Sequence, residues 1–209
     1  MIIEKFGHSC FLLSEKNCRI LVDPGNLSNA AHLKKIDAIL ITHEHADHGD
    51  RKTLRKLMKK NPKAIVYSSE RTAEKVGISC VVVRSGKEIN VKGIKIVPKV
   101  GIHNKHFPHM PDVQNTSYMI AAKIFFPGDS FARPHKKPKY LALPVVASWT
   151  KTSEIVEYAL SVSPKVCLAA HDGMLIPGKE GGFHYLVAEH VAVKKIKLIA
   201  LKPGQKLKL

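Results

Sequence analysis

Acidic residues are scarce in this 209-residue chain: 17 Asp and Glu stand against 34 Lys and Arg, a formal net charge of +17 with histidine neutral. An excess of that size predicts attraction to phosphates, nucleic acid or anionic lipid surfaces, and charge alone does not choose among them. A general lysine bias competes with any functional reading of it. The apolar run of roughly 20 residues that a membrane span requires is missing, and no charged and apolar leader opens the sequence. The four cysteines, Cys10, Cys18, Cys80 and Cys167, show no Cys-x-x-Cys spacing. They are therefore expected to be reduced, mostly buried thiols of a cytoplasmic protein. The length suits one large domain with a real core and is short for two.

What the chain does have is a concentration of imidazole and carboxylate in Ala38-Ile-Leu-Ile-Thr-His43-Glu-His45-Ala-Asp47-His48-Gly-Asp50. The apolar, β-branched run that opens it reads as a buried strand. His43, His45, Asp47 and His48 then fall just past the strand's end, and these are the donor types that first-row divalent metals prefer. A catalytic ion needs only three protein donors and leaves a position to water. Four donors in one loop therefore hint at two ions, with more ligands due from elsewhere. Three other apolar strands also run out into such residues, at His103, Asp129 and His171. In layered α/β architectures, loops at strand ends converge on a common site.

The order His43-x-His45-x-Asp47-His48 after an apolar strand resembles the signature of the metallo-β-lactamase superfamily. The segments Gly7-His8-Ser9-Cys10 and Ile20-Leu-Val-Asp23-Pro24-Gly25 extend the resemblance toward the branch that includes ascorbate-6-phosphate lactonases and N-acylphosphatidylethanolamine phospholipase D-like hydrolases. The resemblance implies an α/β (α+β) fold, a four-layer αββα sandwich over residues 1–209, with pseudo-halves of about 1–95 and 96–209. It leaves no room for an inserted nuclease cap domain. It further implies that His43, His45 and His103 hold one metal and Asp47, His48 and His171 the other, with Asp129 between them. His106 competes with His103 for its position, and His109 reads as a loop residue. Zinc is expected from the histidine content, and the oxygen donors of Asp47 and Asp129 also suit manganese or iron.

Asp23 is either an ordinary turn residue or a partner for the backbone or a histidine of the metal loop. His8 is either near the active site or a satisfied structural histidine. Trp149 is either a substrate wall or a core anchor. Residues 26–37 read as a short helix or structured loop. Asp50 suits the N-cap of a helix that Asn61-Pro62 stops, with Leu54, Leu57 and Met58 on its buried stripe and lysine and arginine on the rest. Ser69 to Val76 reads as a helix ending at Gly77, and a further helix from Glu154 to Leu160 is expected to be capped by Thr152 or Ser153. His184 and His190 read as structural or rim residues.

The expected function is metal-dependent hydrolysis by a metal-activated water, with Asp47 essential, on an ester, lactone or phosphorylated small molecule, so an anionic small-molecule partner is expected. The alternatives are a nucleic-acid phosphodiesterase, which the net charge and the basic helix face admit, and a non-catalytic metal-containing protein that binds nucleic acid or phosphate.

Overall fold

Hydrophobic alternation and short β-branched runs make strand the commonest regular element of this chain. The computed structural model describes residues 1–176 and 178–209. Its first strands are β1 (Ile2–Gly7), β2 (Cys10–Glu15), β3 (Cys18–Val22) and β4 (Ala38–Leu40), with a single 3-10 turn, Ala30–His32, in the 26–37 segment. Helix α1 (Arg51–Lys60), strand β5 (Ile65–Ser68), helix α2 (Glu70–Val76) and strand β6 (Val81–Val82) follow. Then come β7 (Ile89–Val91), β8 (Ile94–Ile102), β9 (Gln114–Ile120), β10 (Ile124–Phe126) and β11 (Tyr140–Pro144). The chain ends with α3 (Thr152–Val162), β12 (Val166–Ala170), α4 (Gly181–Val191), β13 (Lys197–Ile199) and β14 (Lys206–Lys208).

Two mixed sheets result, ordered β14-β1-β2-β3-β4-β5-β6 and β13-β12-β11-β10-β9-β8-β7. The chain passes from the first sheet to the second between Val82 and Ile89, and the last strand crosses back to pair with β1. Phe11, Leu13, Ile20, Val22 and Leu40 of the first sheet meet Ile96, Tyr118, Ile120, Phe126 and Leu168 of the second in a central core. Outside the first sheet, Leu54 and Leu57 of α1 and Val76 of α2 cover Leu12, Leu21 and Ile39. On the far side, Ile155 and Tyr158 of α3 and Val187 and Val191 of α4 cover Leu141, Leu143 and Cys167. The layers are thus αββα.

Local chemistry explains the element ends. The Asp50 carboxylate accepts from the Thr53 N–H at 2.8 Å, so α1 begins where the cap predicts. Strand β4 stops at Leu40, short of Thr42, because the Thr42 N–H leaves the ladder and donates to Asp23 Oδ1 at 2.8 Å. Strand β9 takes in polar residues at its start, pairing Gln114, Asn115 and Thr116 with Ile102, Gly101 and Val100. Helix α3 starts at Thr152, with Lys151 in the cap position. Lysine offers no acceptor, and the Glu154 carboxylate caps the turn instead, accepting from the Lys151 N–H at 3.0 Å and the Thr150 hydroxyl at 2.7 Å. Neither Thr152 nor Ser153 serves.

Buried polar links cross between the sheets. The buried Tyr118 hydroxyl donates to Ile41 O at 3.1 Å, beside a backbone bond from Thr116 N to Thr42 O at 2.7 Å. Lys5 of β1 is only 1% exposed, and its ammonium meets both Asp172 oxygens at 2.7 Å and Ala169 O at 2.9 Å. Burial lowers the Lys5 pKa even with Asp172 beside it. His184 lies 3.2 Å from the same carboxylate. Removing one partner of a buried pair leaves an uncompensated charge. Lys5→Met is expected to lower the unfolding free energy by about 3–5 kcal/mol in urea denaturation, and a second change, Asp172→Asn, to restore part of it. A loss below about 1 kcal/mol would mean that the pair behaves as an exposed one.

Candidate metal centre

Strand β4 delivers the metal loop. Its neighbour β3 ends at Val22, so Asp23 emerges beside Thr42, and the Asp23 backbone N–H donates to Leu40 O at 3.0 Å. Asp23 is 2% exposed and is fully engaged: Oδ1 accepts from the Thr42 N–H, and Oδ2 accepts from the Thr42 hydroxyl at 2.8 Å and from His48 Nδ1–H at 2.9 Å. Because the Thr42 hydroxyl proton goes to Asp23, its oxygen accepts from His43 Nδ1–H at 3.0 Å. One carboxylate and one hydroxyl thereby fix the tautomer of two histidines and leave both Nε2 atoms as bare acceptors.

The same device recurs in the second sheet. His103, just past β8, donates Nδ1–H to Asn104 O, and His171, just past β12, donates Nδ1–H to Val146 O at 2.7 Å. All four Nε2 atoms thus carry lone pairs toward one place. His43, His45 and His103 bring their donor atoms within 4.8 Å of one another, as do His43, His48 and Asp129, and also His8, Asp47, His48 and His171. Asp129, just past β10, lies at the centre: Oδ1 is 3.2 Å from His48 Nε2, and Oδ2 is 2.9 Å from His171 Nε2 and 3.4 Å from His103 Nε2. Trp149 donates its indole N–H to Asp129 Oδ2 at 2.9 Å and packs edge-on against His103. It is buried, and it anchors this carboxylate.

His8 separates from the ligand set by its hydrogen bonds. Its Nδ1 accepts from the Gly173 N–H at 3.1 Å, so Nε2 carries the proton and donates to Asp47 Oδ2 at 3.1 Å. His8 therefore orients Asp47. Burial lowers the His8 pKa, which keeps the ring neutral in that role. His106 does not approach the donor cluster: its Nε2 is bonded to Ser148 Oγ at 2.8 Å on the exposed side, with its ring stacked beside His103. His109 is exposed and stacks on Phe107.

The electrostatics fit a cation. His43 Nε2, His48 Nε2, His103 Nε2 and Asp129 Oδ1 are buried without hydrogen-bond partners, which is costly unless something positive answers them. Burial lowers the His48 pKa, but the carboxylates of Asp129 and Asp23 outweigh it and raise the group well above ordinary imidazole. Burial likewise pushes the Asp129 carboxyl up, yet His48 and His171 hold it well below the usual carboxylate range. Burial, with His48 beside it, instead lowers His43 well below its usual value. Positive charge is thus drawn to the space around Asp129, and His43 presents a neutral imidazole beside it.

Three of the non-glycine residues with positive φ lie at this site. His8, Asp23 and His171 have φ of 48°, 46° and 60°, in the left-handed region that non-glycine residues rarely enter and that functional sites hold in place. Gly128, at φ +65°, also leaves room for Asn115, whose Oδ1 accepts from the Asp129 N–H at 3.0 Å. Asn115, Thr42 and the Lys5–Asp172 pair carry no signal in the sequence, because their roles depend on partners from distant strands.

Residues 2–171 match the family described as Beta-lactamase superfamily domain. The chain belongs to the metallo-β-lactamase superfamily. Among members and relatives, Protein Rv0786c of Mycobacterium tuberculosis is 32% identical over 195 residues, covering 90% of this chain and 92% of that protein. A protein named UPF0173 metal-dependent hydrolase from Korarchaeum cryptofilum is 27% identical, covering 97% of each chain. The structure of Igni18, a metallo hydrolase from Ignicoccus hospitalis, superposes with a TM-score of 0.73 at 20% identity, covering 99% of this chain and 97% of that one. The superfamily's sandwich is the fold found here.

A Cβ on Gly25 would lie 1.9 Å from the Asp47 carbonyl oxygen and 2.6 Å from the His48 nitrogen. Gly25→Ala must therefore displace the metal loop, and a loss of zinc affinity on the order of 10–100-fold is expected in competition with a chromophoric chelator. Gly101→Ala, where the nearest atom is 3.8 Å away, should change nothing. Equal affinity of both variants and the parent would refute the loop packing.

Proposed function

We propose that this chain is a metal-dependent hydrolase with two divalent ions, zinc foremost and manganese or iron as alternatives, acting on a small anionic ester, lactone or phosphorylated molecule. The observation that carries the reading is the convergence on Asp129 of histidines that have already committed Nδ1 as a donor, together with the unpartnered Nε2 atoms. The relative from Korarchaeum cryptofilum, named a metal-dependent hydrolase, supports it. His43, His45 and His103 would hold one ion, and Asp47, His48 and His171 the other, with Asp129 shared.

Divalent ions at such a centre supply Lewis acidity and ease the deprotonation of water near neutral pH. The chain does the rest by position. Asp47 has 25% of its side chain exposed against 4% for Asp129, so it borders the space open to substrate. His8 keeps Asp47 from swinging out, through the bond between Nε2–H and Oδ2. Burial pushes the Asp47 carboxyl up, but that bond and the charge of His48 bring it below the usual range, so it stays ionised. Trp149 covers Asp129 and excludes water from that side. His106 and Ser148, hydrogen-bonded to each other at 2.8 Å, lie on the exposed rim.

The test is turnover of a panel holding a lactone, a carboxylic ester, a phosphomonoester, bis(p-nitrophenyl) phosphate and short RNA. Chelator-sensitive hydrolysis of a small ester, lactone or phosphorylated substrate is expected. Asp47→Ala should cut it on the order of 100-fold or more while leaving the circular dichroism spectrum intact. Preference for RNA over every small molecule would replace this substrate class with a nucleic-acid phosphodiesterase. Full activity of Asp47→Ala would remove the mechanism.

A further inference from the structure

The exposed residues of α1 are Arg51, Lys52, Arg55, Lys56, Lys59 and Lys60, so every exposed position of this helix is cationic. Its other residues, Thr53, Leu54 and Leu57, are buried against the first sheet, and Met58 is half-buried there. A solvated helix face normally mixes signs, since i,i+4 pairs of opposite charge stabilise it and like pairs oppose it. Among the described residues, the surface ion pairs of lysine and arginine side chains use Arg71, Lys92, Lys95, Lys105 and Lys206, and none uses a cation of α1.

The face continues beyond the helix. Asn61, at its C-terminal end, donates to Leu33 O at 3.0 Å and accepts from the Ile36 N–H at 2.9 Å. Those bonds fasten residues 33–36 beside the last turn and bring the exposed Lys34 and Lys35 to the same end. The other end of α1 begins at Arg51, three residues past His48. The like charges therefore form one rigid strip reaching from the metal loop to Lys34 and Lys35.

We propose that this strip is a docking surface for the phosphate backbone of double-stranded nucleic acid, bound without regard to sequence. A ten-residue helix is about 15 Å long, and about 15 Å of duplex axis carries about nine phosphates. No aromatic side chain lies on the exposed face of α1, so it has no stacking platform of the kind that single strands use. It also exposes no apolar residue to enter a lipid surface. The proposal is independent of hydrolysis and stands or falls without it.

The experiment is fluorescence anisotropy of a labelled DNA duplex titrated with the full chain at several salt concentrations. Single-stranded DNA and phosphatidylcholine vesicles containing phosphatidylserine are run as competitors. With about four or five phosphates neutralised, log affinity should fall against log salt with a slope of roughly −4. The triple change Arg55→Glu, Lys56→Glu, Lys59→Glu should weaken binding on the order of 100-fold or more and flatten that slope by about 3. Lys194→Glu, Lys197→Glu, Lys202→Glu makes the same change in net charge at exposed positions elsewhere and should largely retain binding. Thermal melts confirm that both variants fold. Equal loss in the two variants would show that net charge, and no particular face, attracts the duplex. No salt-sensitive binding, tighter binding of single strands, or binding to vesicles alone would each overturn the proposal.

Discussion

A carboxylate buried to 3% exposure is a liability that a fold tolerates only when positive charge and donors surround it. Asp129 is in that position, and the elements that answer it come from across the chain: His48 after β4, His103 after β8, Trp149 after β11 and His171 after β12. Their arrangement requires the two sheets to stack with these strand ends together. The Tyr118 hydroxyl and the Thr116–Thr42 backbone bond hold them so. Fold and site are thus one constraint, because slippage between the sheets would strand the carboxylate among uncommitted lone pairs.

Much of this was readable in residue order. The apolar run into His43-x-His45-x-Asp47-His48 announces both a buried strand and a ligand loop, since nothing else asks for those side chains in that order. The strand ends at His103, Asp129 and His171 are visible because apolar periodicity stops at a chemistry-bearing residue. Asp50 as a cap and Leu54 and Leu57 as a buried stripe follow from local rules, and local interactions decide them in the structure.

What was hidden is of a different kind. Lys5 reads as an ordinary polar residue of an alternating strand, and its partner Asp172 is 167 positions away. Trp149 gives no hint from its neighbours that its indole N–H faces Asp129. Gly25 looks like a turn residue, but its missing side chain makes room for the metal loop's backbone. The cap of α3 misleads for a related reason: Thr152 and Ser153 have the right chemistry, and Glu154 folds back first. Sequence carries the clustered histidines and carboxylates well and their supports poorly, because the first show in residue type and the second only in geometry.

Anomalous diffraction from crystals of this protein grown with manganese or zinc would test the proposed two-ion centre most directly. Two peaks are expected, one among His43, His45 and His103, the other among Asp47, His48 and His171, with an Asp129 oxygen reaching toward both. A single peak, or peaks away from Asp129, would contradict a centre built around that carboxylate.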